Sequence, residues 1–333
     1  MRKGERPDKQ RVFRREYKEM KIVYMGTPDF SVGALEALIQ AGHEVTAVVT
    51  QPDKPKGRSG QVQCSPVKTC ALKHHIPVLQ PVRIKTPEAM AELKGYEADV
   101  YVVAAFGQIL SEQILEMPRF GCVNIHASLL PKYRGAAPIN QCIIDGEKET
   151  GVTIMQMDAG VDTGDILTQK RVTIQDKETA ESLFDKLARA GAELIVETLP
   201  MLERGEVTPV KQDERLATHV KMMDKSMGRI DWKQDAVVIE RLVRGLNSWP
   251  SAYTSYQGKI VKIWDSDVVW LDAGGMDADK PGTIVSVAKD SFDVACGNGI
   301  LRINELQLEG KKRMDTKSFL LGNQWKAGMC LGD

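Results

Sequence analysis

The sequence has no long apolar segment and no excess of charge of either sign. Its apolar runs, such as residues 100–106, are much shorter than the roughly 20 residues that cross a bilayer, so no membrane span is expected. The charged first twenty residues lack the apolar core of a secretory signal peptide, and their acidic residues are atypical of a mitochondrial transit segment. Lys and Arg together number 45, as do Asp and Glu, so the formal net charge is zero. This pattern predicts a cytoplasmic protein.

The sequence also lacks the cysteine and histidine spacings of a disulfide framework or a metal site. Its six cysteines include no C-x-x-C pair, and scattered thiols in a long chain are typical of a reducing compartment. Among the five histidines, His74 and His75 are adjacent, and adjacent side chains leave one element in different directions. We therefore expect neither disulfides nor a bound metal.

Strand and helix patterns alternate between residues 20 and 205, which is typical of a doubly wound, mostly parallel, Rossmann-like sheet. The predicted strands are 22–25, 44–50, 99–106 and 122–127, with a hairpin of 151–157 and 166–174. The predicted helices are 31–41, 65–73, 87–93 and 179–204. In such folds ligands bind at the carboxyl ends of the strands.

The rest of the chain divides into three further segments. Residues 1–19 are charged and have no apolar face, so we expect a disordered extension, with Met20 as a candidate for the true start; a basic tail that binds a polyanion is the alternative. Residues 206–224 are polar and aperiodic and are predicted to be a linker. Residues 225–330 contain short β-rich runs separated by Gly and Asp, which predict a small OB-like β-barrel.

The turn after the first strand has one glycine where a dinucleotide-binding fold has three. It reads Gly26-Thr27-Pro28-Asp29, with a proline in the tight turn. A nicotinamide or flavin cofactor is therefore not expected, and the sheet must bind another ligand at its strand ends.

Asn124 and His126 stand two residues apart at the end of the fourth predicted strand. Residues at this spacing share one face of a strand. An amide and a protonated imidazole side by side can both donate to a developing oxyanion. The alternative is a histidine satisfied by a backbone carbonyl and an asparagine that caps the next loop.

Two more polar segments lie at predicted strand ends. Residues 158–165 contain Asp162 but lack the calcium-loop spacing, so they form either a simple turn or a loop that brings a carboxylate over Asn124 and His126. Residues 52–75 hold five basic residues against one acidic residue. This basic loop is either solvated or suited to grip a phosphate backbone.

These motifs, in this order, resemble the methionyl-tRNA formyltransferase family. The Asn-x-His and Ser-Leu-Leu-Pro runs are shared by the wider group of 10-formyltetrahydrofolate-dependent formyltransferases, while the basic loop and the β-rich tail narrow the resemblance to a tRNA substrate. The residues that carry it are Met25–Phe30, Gln51–Asp53, Asn124, His126, Ser128–Pro131, Tyr133–Gly135, Pro138, Asp162–Asp165 and Arg229–Trp232.

The resemblance implies an enzyme that transfers the formyl group of 10-formyltetrahydrofolate to the α-amine of methionyl initiator tRNA. It assigns catalysis to Asn124, His126 and Asp162, and contact with the acceptor end of the tRNA to Arg58, aided by Lys54 and Lys56. It places the tetrahydrofolate beside a four-residue run, Ser128, Leu129, Leu130 and Pro131. The barrel would lie along the tRNA, and we expect a monomer.

Two other functions remain open from the sequence. A folate-dependent formyltransferase could act on a small amine, such as glycinamide ribonucleotide or an amino sugar nucleotide, or the chain could be a non-catalytic RNA-binding protein. The neutral net charge also requires that any basic surface for tRNA be arranged on one face. Candidates for that face are Lys259, Lys262, Lys311, Lys312 and Arg313.

Overall fold

The computed structural model describes residues 19–56, 61–269 and 280–332. Apart from Glu19, the predicted N-terminal extension lies outside these ranges. In the described residues up to 205, the strands are β1 (Lys21–Gly26), β2 (Glu44–Val49), β3 (Lys54–Lys56), β4 (Gln61–Gln63), β5 (Val78–Leu79), β6 (Val100–Ala104), β7 (Cys122–His126), β8 (Arg134–Gly135), β9 (Glu149–Gln156) and β10 (Ile166–Thr173). The helices are α1 (Val32–Gln40), α2 (Pro66–Lys73), α3 (Pro87–Lys94), α4 (Glu112–Leu115), α5 (Pro138–Ile144) and α6 (Ala180–Glu203).

Seven of these strands form one sheet in the order β10-β9-β7-β6-β1-β2-β5. The pairs from β7 to β5 are parallel, whereas β9 and β10 form an antiparallel hairpin on the edge. This arrangement confirms the predicted mostly parallel sheet. Because the parallel strands run in the same direction, the carboxyl ends of β1, β6 and β7 meet at one edge.

Helices cover both faces of this sheet, as doubly wound folds require. Ile22 and Tyr24 of β1 pack in a cluster with α1 and α6, whereas Val23 and Met25 pack in a second cluster with α3 and α4. The alternation follows from the pleat of the strand, which sends successive side chains to opposite faces. Burial on both faces explains why these strands are continuously apolar in the sequence.

The predicted third strand is shorter than expected at its carboxyl end. The prediction ran to Phe106, but β6 ends at Ala104. Ala105 and Gly107 adopt left-handed backbone conformations, with φ of 44° and 80°, which turn the chain out of the sheet. The apolar residues that follow are therefore available to line a cavity instead of continuing the strand.

The segment 206–224 is packed against the first sheet's loops. It contains β11 (His219–Val220), which pairs in parallel with β8. The backbone N–H of Arg134 donates to the carbonyl oxygen of Thr218 at 2.8 Å. A division of the chain into domains at this segment stays a proposal.

The remaining strands are β12 (Ala252–Tyr256), β13 (Lys259–Val269), β14 (Ile284–Val287), β15 (Phe292–Ala295), β16 (Ile300–Leu308) and β17 (Met314–Asp315), with helices α7 (Ala236–Gly245) and α8 (Thr316–Gly322). They form an antiparallel sheet in the order β12-β13-β16-β15-β14, with β17 beside β16. The C-terminal segment bonds to both edges, since Met329 accepts from the N–H of Ile284 at 2.7 Å and Gly332 donates to Ser255 at 2.8 Å. These bonds close the predicted barrel.

The barrel packs on the first sheet's helices through α7. The side chain of Asn140 in α5 donates to the carbonyl of Gly245 at 2.7 Å. A Cβ at Gly245 would lie 2.5 Å from Ile144, so this close approach of α5 and α7 needs glycine. Within the described ranges, no helix is long and apolar enough to cross a bilayer.

Candidate active site

A cavity of about 1130 Å³ opens where β1, β6 and β7 end. Its wall comes from the loops that follow these three strands, from the β9–β10 loop, from the first turns of α5 and α6, and from the loop after α7. Asn124, His126 and Asp162 all line it. The structure therefore brings the three residues that were predicted to be catalytic into one wall.

Asn124 and His126 project from β7 as their spacing predicted, with the intervening Ile125 buried in the core. The amide Nδ2 of Asn124 donates to Oδ1 of Asp162 at 3.4 Å. Nδ1 of His126 lies 3.5 Å from Oδ2 of the same carboxylate. Asp162 thus faces both side chains.

His126 is only 6% exposed, and both of its ring nitrogens have neighbours. Nε2 lies 2.9 Å from the carbonyl oxygen of Tyr133. Because a carbonyl only accepts, Nε2 carries the hydrogen and donates it. The sequence left open whether this histidine is catalytic or is satisfied by a backbone carbonyl. In the structure, one ring nitrogen bonds to the backbone and the other faces Asp162 in the cavity.

The loop that carries Asp162 is held by its backbone. Asp162 itself has a left-handed φ of 55°, a conformation that is costly for residues other than glycine. Its Oδ2 accepts from the N–H of Gly135 at 2.8 Å. Nε2 of Gln212 donates to the carbonyl oxygens of Asp162 and Gly164 at 2.8 and 2.7 Å. A Cβ at Gly164 would lie 1.7 Å from the carbonyl oxygen of Gln156, so the loop needs glycine there.

Sequence reasoning missed the polar network behind this loop. Arg134 is 1% exposed, and its guanidinium donates to Glu214 at 2.9 and 2.7 Å and to Gln212 at 3.0 Å. Hydrogen bonding to Arg134 lowers the pKa of Glu214. Arg134 stood in a quoted motif without a role, and Gln212 and Glu214 lay in the predicted linker. No local spacing points to their pairing, because Gln212 lies 78 residues after Arg134.

A second network supports the carbonyl that binds His126. The N–H of Tyr133 donates to Oγ1 of Thr218 at 2.8 Å, and its hydroxyl donates to Glu147 at 2.9 Å. Lys132 donates to the same carboxylate at 2.8 Å. Hydrogen bonding to Lys132, together with that to Tyr133, lowers the pKa of Glu147, while burial raises the pKa of Tyr133.

Two family models match the chain. The formyl transferase model matches residues 20–199, and the formyl transferase C-terminal domain model matches residues 222–324. The methionyl-tRNA formyltransferase of Lachnospira eligens is 56% identical over 315 residues, which cover 94% of this chain and 100% of the relative. That of Agathobacter rectalis is 54% identical over 303 residues, 91% of this chain and 96% of the relative.

The chain belongs to the methionyl-tRNA formyltransferase family. Its fold is also similar to that of two solved structures. WlaRD, a sugar 3N-formyl transferase with dTDP and 5-N-formyl-THF, has a TM-score of 0.65 at 19% identity, covering 89% of this chain and 100% of WlaRD. HypX from Aquifex aeolicus with tetrahydrofolic acid has a TM-score of 0.61 at 19% identity, covering 91% of this chain and 47% of HypX.

The four residues that the family resemblance assigned to folate lie outside the cavity wall. Ser128 donates to the carbonyl of Lys132 at 2.6 Å, and its own carbonyl accepts from Thr153 at 2.7 Å. The N–H of Leu130 donates to the same Thr153 hydroxyl at 3.1 Å. Ser128–Pro131 therefore form a turn that these hydrogen bonds hold, and their contact with folate stays a prediction.

The wall instead includes a segment that sequence reasoning did not single out. Residues 105–110 follow β6 and line the cavity together. Ile109 within them is 73% exposed, and an apolar side chain left open in a cavity is a candidate ligand contact. The only sequence signal was an apolar run that continued past the end of a strand.

The predicted tRNA contacts are described only in part, since Arg58 lies outside the described residues. Lys54 and Lys56 lie on β3, which pairs with β4 as a two-stranded ribbon, and the side chain of Lys54 is exposed. At the base of the ribbon, Asp53 pairs with Lys68 at 2.5 Å, and this hydrogen bond lowers the pKa of Asp53. Their role in tRNA binding stays a prediction.

One group among the described residues has the chemistry of metal ligands. The ligand atoms of Glu36, Cys70 and His74 lie within 4.8 Å of one another. None of the three lines the cavity. The Cys70 thiol lies 3.9 Å from the Glu36 carboxylate, and burial raises its pKa, so a thiol that donates to the carboxylate accounts for the contact. The expectation of no bound metal stays a prediction.

Proposed function

We propose that this chain transfers the formyl group of 10-formyltetrahydrofolate to the α-amine of methionyl initiator tRNA, which supplies formylmethionyl-tRNA for translation initiation. Relatives that are 56% and 54% identical over most of the chain carry the name of this activity. The observation that carries the proposal is the meeting of Asn124, His126 and Asp162 in one cavity wall. Cytoplasmic location and a monomeric state stay parts of the proposal.

The cavity is large for a small-molecule site. Its volume of about 1130 Å³ exceeds that of a typical pocket for one small ligand, which reaches about 1000 Å³. The folate supplies the one-carbon unit when bound, and its formyl carbon must lie beside Asn124 and His126. The methionyl end of the tRNA must enter the same space, because its amine attacks that carbon.

The reaction builds negative charge on the formyl oxygen. As the amine nitrogen bonds to the formyl carbon, the carbonyl oxygen becomes an oxyanion, to which Asn124 can donate through Nδ2. His126 can donate to it through Nδ1 when that nitrogen carries a proton, and the Asp162 carboxylate, 3.5 Å from Nδ1, offsets the positive charge that the ring then carries. Removing one such donor costs about 3 kcal/mol in the barrier.

The reaction also moves one proton. The attacking amine becomes cationic and must lose a proton, while the N10 nitrogen of the folate must gain one as its bond to carbon breaks. The carboxylate of Asp162 lies at the cavity wall, within reach of His126 and Asn124, and is placed to accept the first proton directly or through water. The proton then passes to N10, so that no net proton is consumed.

Single-turnover formyl transfer to methionyl initiator tRNA tests this proposal. Wild type is compared with Asn124→Ala, His126→Ala and Asp162→Asn, and we expect each of them to lose about 100-fold or more in rate. His75→Ala and Asp176→Asn, both exposed, serve as matched controls that keep the wild-type rate. Tetrahydrofolate binding by calorimetry shows that each variant still forms the cavity.

Other outcomes would redirect the assignment. If wild type binds folate but produces no formylated tRNA, the acceptor is a small amine, and glycinamide ribonucleotide and amino sugar nucleotides are then assayed. Arg58→Ala tests the predicted tRNA contact separately. We expect it to raise the KM for tRNA and to flatten the dependence of binding on salt, since one phosphate contact is removed.

A further inference from the structure

The loop after α7 presents an exposed tryptophan on a rigid support. Trp249 is 55% exposed, whereas Asn247 and Ser251 on either side are 7% and 1% exposed. The Asn247 side chain donates to the carbonyl of Trp264 at 3.1 Å, and the N–H of Ser251 donates to Leu246 at 2.9 Å. Both ends of the loop are therefore fixed, while the large indole between them is left open to solvent.

Trp249 belongs to the cavity wall that also contains His126. Two other exposed apolar side chains, Ile109 and Val161, line the same cavity and are 73% and 58% exposed. Trp249 differs from them because it comes from the second half of the chain. A planar aromatic surface at the mouth of a site is suited to stack on a flat ligand.

Charge indicates which substrate lies against Trp249. Through Asn247, its loop is bonded to Trp264, whose ring has Lys262 and Arg313 at 5.7 and 4.7 Å from its centroid. Arg313 pairs with Glu305 and also lies near Glu181 and Asp265, whereas Lys262 has no ion pair with any residue that the structure describes. Lys262 is therefore the cation of this group that favours a phosphate backbone.

The cavity wall itself carries acidic side chains. Asp158 and Asp162 lie next to Val161, and carboxylates there disfavour a polyanion. Glu181 and Asp185 of α6 also line the cavity, so Lys262, which is outside the wall, is a more favourable position for a phosphate than the cavity itself.

We propose that the indole of Trp249 stacks on the 3′-terminal nucleobase of the tRNA and holds the methionyl ester over His126. This inference rests on the proposed function, because it names the part of the tRNA that the same site grips. Stacking on an aromatic side chain needs no base-specific hydrogen bond, and it places the aminoacyl group, which is attached to the terminal ribose, inside the cavity.

The first test compares Trp249→Ala with Trp249→Phe in steady-state formylation. We expect the alanine variant to lose about 10- to 100-fold in kcat/KM for methionyl-tRNA, and the phenylalanine variant to stay within about threefold of wild type. Tetrahydrofolate affinity, measured by calorimetry, stays unchanged in both. Leu321→Ala, at an 86% exposed apolar position on the same half of the chain, is the control and keeps the wild-type values.

The decisive test uses two uncharged tRNAs, one complete and one from which the terminal adenosine has been removed. We expect wild type and Trp249→Phe to bind the complete tRNA about tenfold more tightly, and Trp249→Ala to bind both equally. If Trp249→Ala keeps the wild-type preference, or if it loses folate affinity instead, this inference is overturned. A wild-type protein that formylates no tRNA would overturn the proposed function, which is a separate result.

Discussion

Gln212 holds the backbone of the loop that carries Asp162 through two hydrogen bonds. Its amide donates to the Asp162 carbonyl at 2.8 Å and to that of Gly164 at 2.7 Å. Its own carbonyl accepts from the buried Arg134 at 3.0 Å. One side chain thus ties a loop with a left-handed aspartate to a buried guanidinium, and the position of the carboxylate depends on it.

Gln212→Ala should lower kcat for formyl transfer about tenfold while leaving the KM values for tRNA and folate close to wild type, because the carboxylate loses its position rather than its contacts with substrate. Steady-state kinetics with each substrate varied in turn measures kcat and both KM values. Gln40→Ala, at the exposed end of α1, is the matched control. A rise in KM with unchanged kcat would contradict this positioning role.

Glu147→Gln should reduce stability at neutral pH more than at acidic pH. The pKa of Glu147 is lowered from its ordinary value of 4.5, first by Lys132. The ionised carboxylate therefore stabilises the fold above about pH 4.5, and this contribution is lost as the pH falls through the lower native value. Urea unfolding of wild type and variant at pH 7 and pH 4 measures the difference.

The Glu147 comparison needs a control without a buried partner. Asp176 is 90% exposed and pairs with Lys148 at 3.2 Å, so Asp176→Asn should change stability little at either pH. If wild type and Glu147→Gln differ in free energy of unfolding by the same amount at both pH values, ionisation of Glu147 does not contribute to stability.

Replacing two helix glycines with alanine should change the free energy of unfolding in opposite directions. A Cβ at Gly33 in α1 meets nothing within 4 Å, whereas one at Gly191 in α6 would lie 2.7 Å from Ile125. Gly33→Ala should therefore stabilise the protein by about 0.5 kcal/mol. Gly191→Ala should destabilise it by about 1–3 kcal/mol, since α6 must move off β7. Chemical unfolding at pH 7 measures both, and the same sign for the two would refute the packing argument.

The cysteine thiols should differ in how fast they react with a thiol reagent in the native protein. Burial raises the pKa of Cys122 and of Cys142 to about 12, so at pH 8 about one thiol in ten thousand is ionised. Cys64 is exposed and should react with a thiol reagent within minutes. Labelling followed by peptide mass spectrometry should show Cys122 and Cys142 modified only after unfolding; fast labelling of either would show that the core opens readily.

The fold could be predicted largely from the sequence because buried strands and helices have patterns of apolar residues that are visible within short segments. Continuous apolar strands, alternating with helices, specify a sheet covered on both faces, and the spacing of Asn124 and His126 places them on one face. The motifs around them also identified the family. Each of these inferences depends on residues that are close together in the chain.

The tertiary structure decided between the two alternatives for the Asp162 loop and added Gln212 to the site. Asp162 reaches Asn124 across 38 residues, and Gln212 reaches Asp162 across 50. The loop conformations that bring them together depend on left-handed residues and backbone carbonyls, which leave no periodic pattern. The same reason explains why the sequence did not single out Trp249, which lies in a short loop far along the chain and lines the cavity.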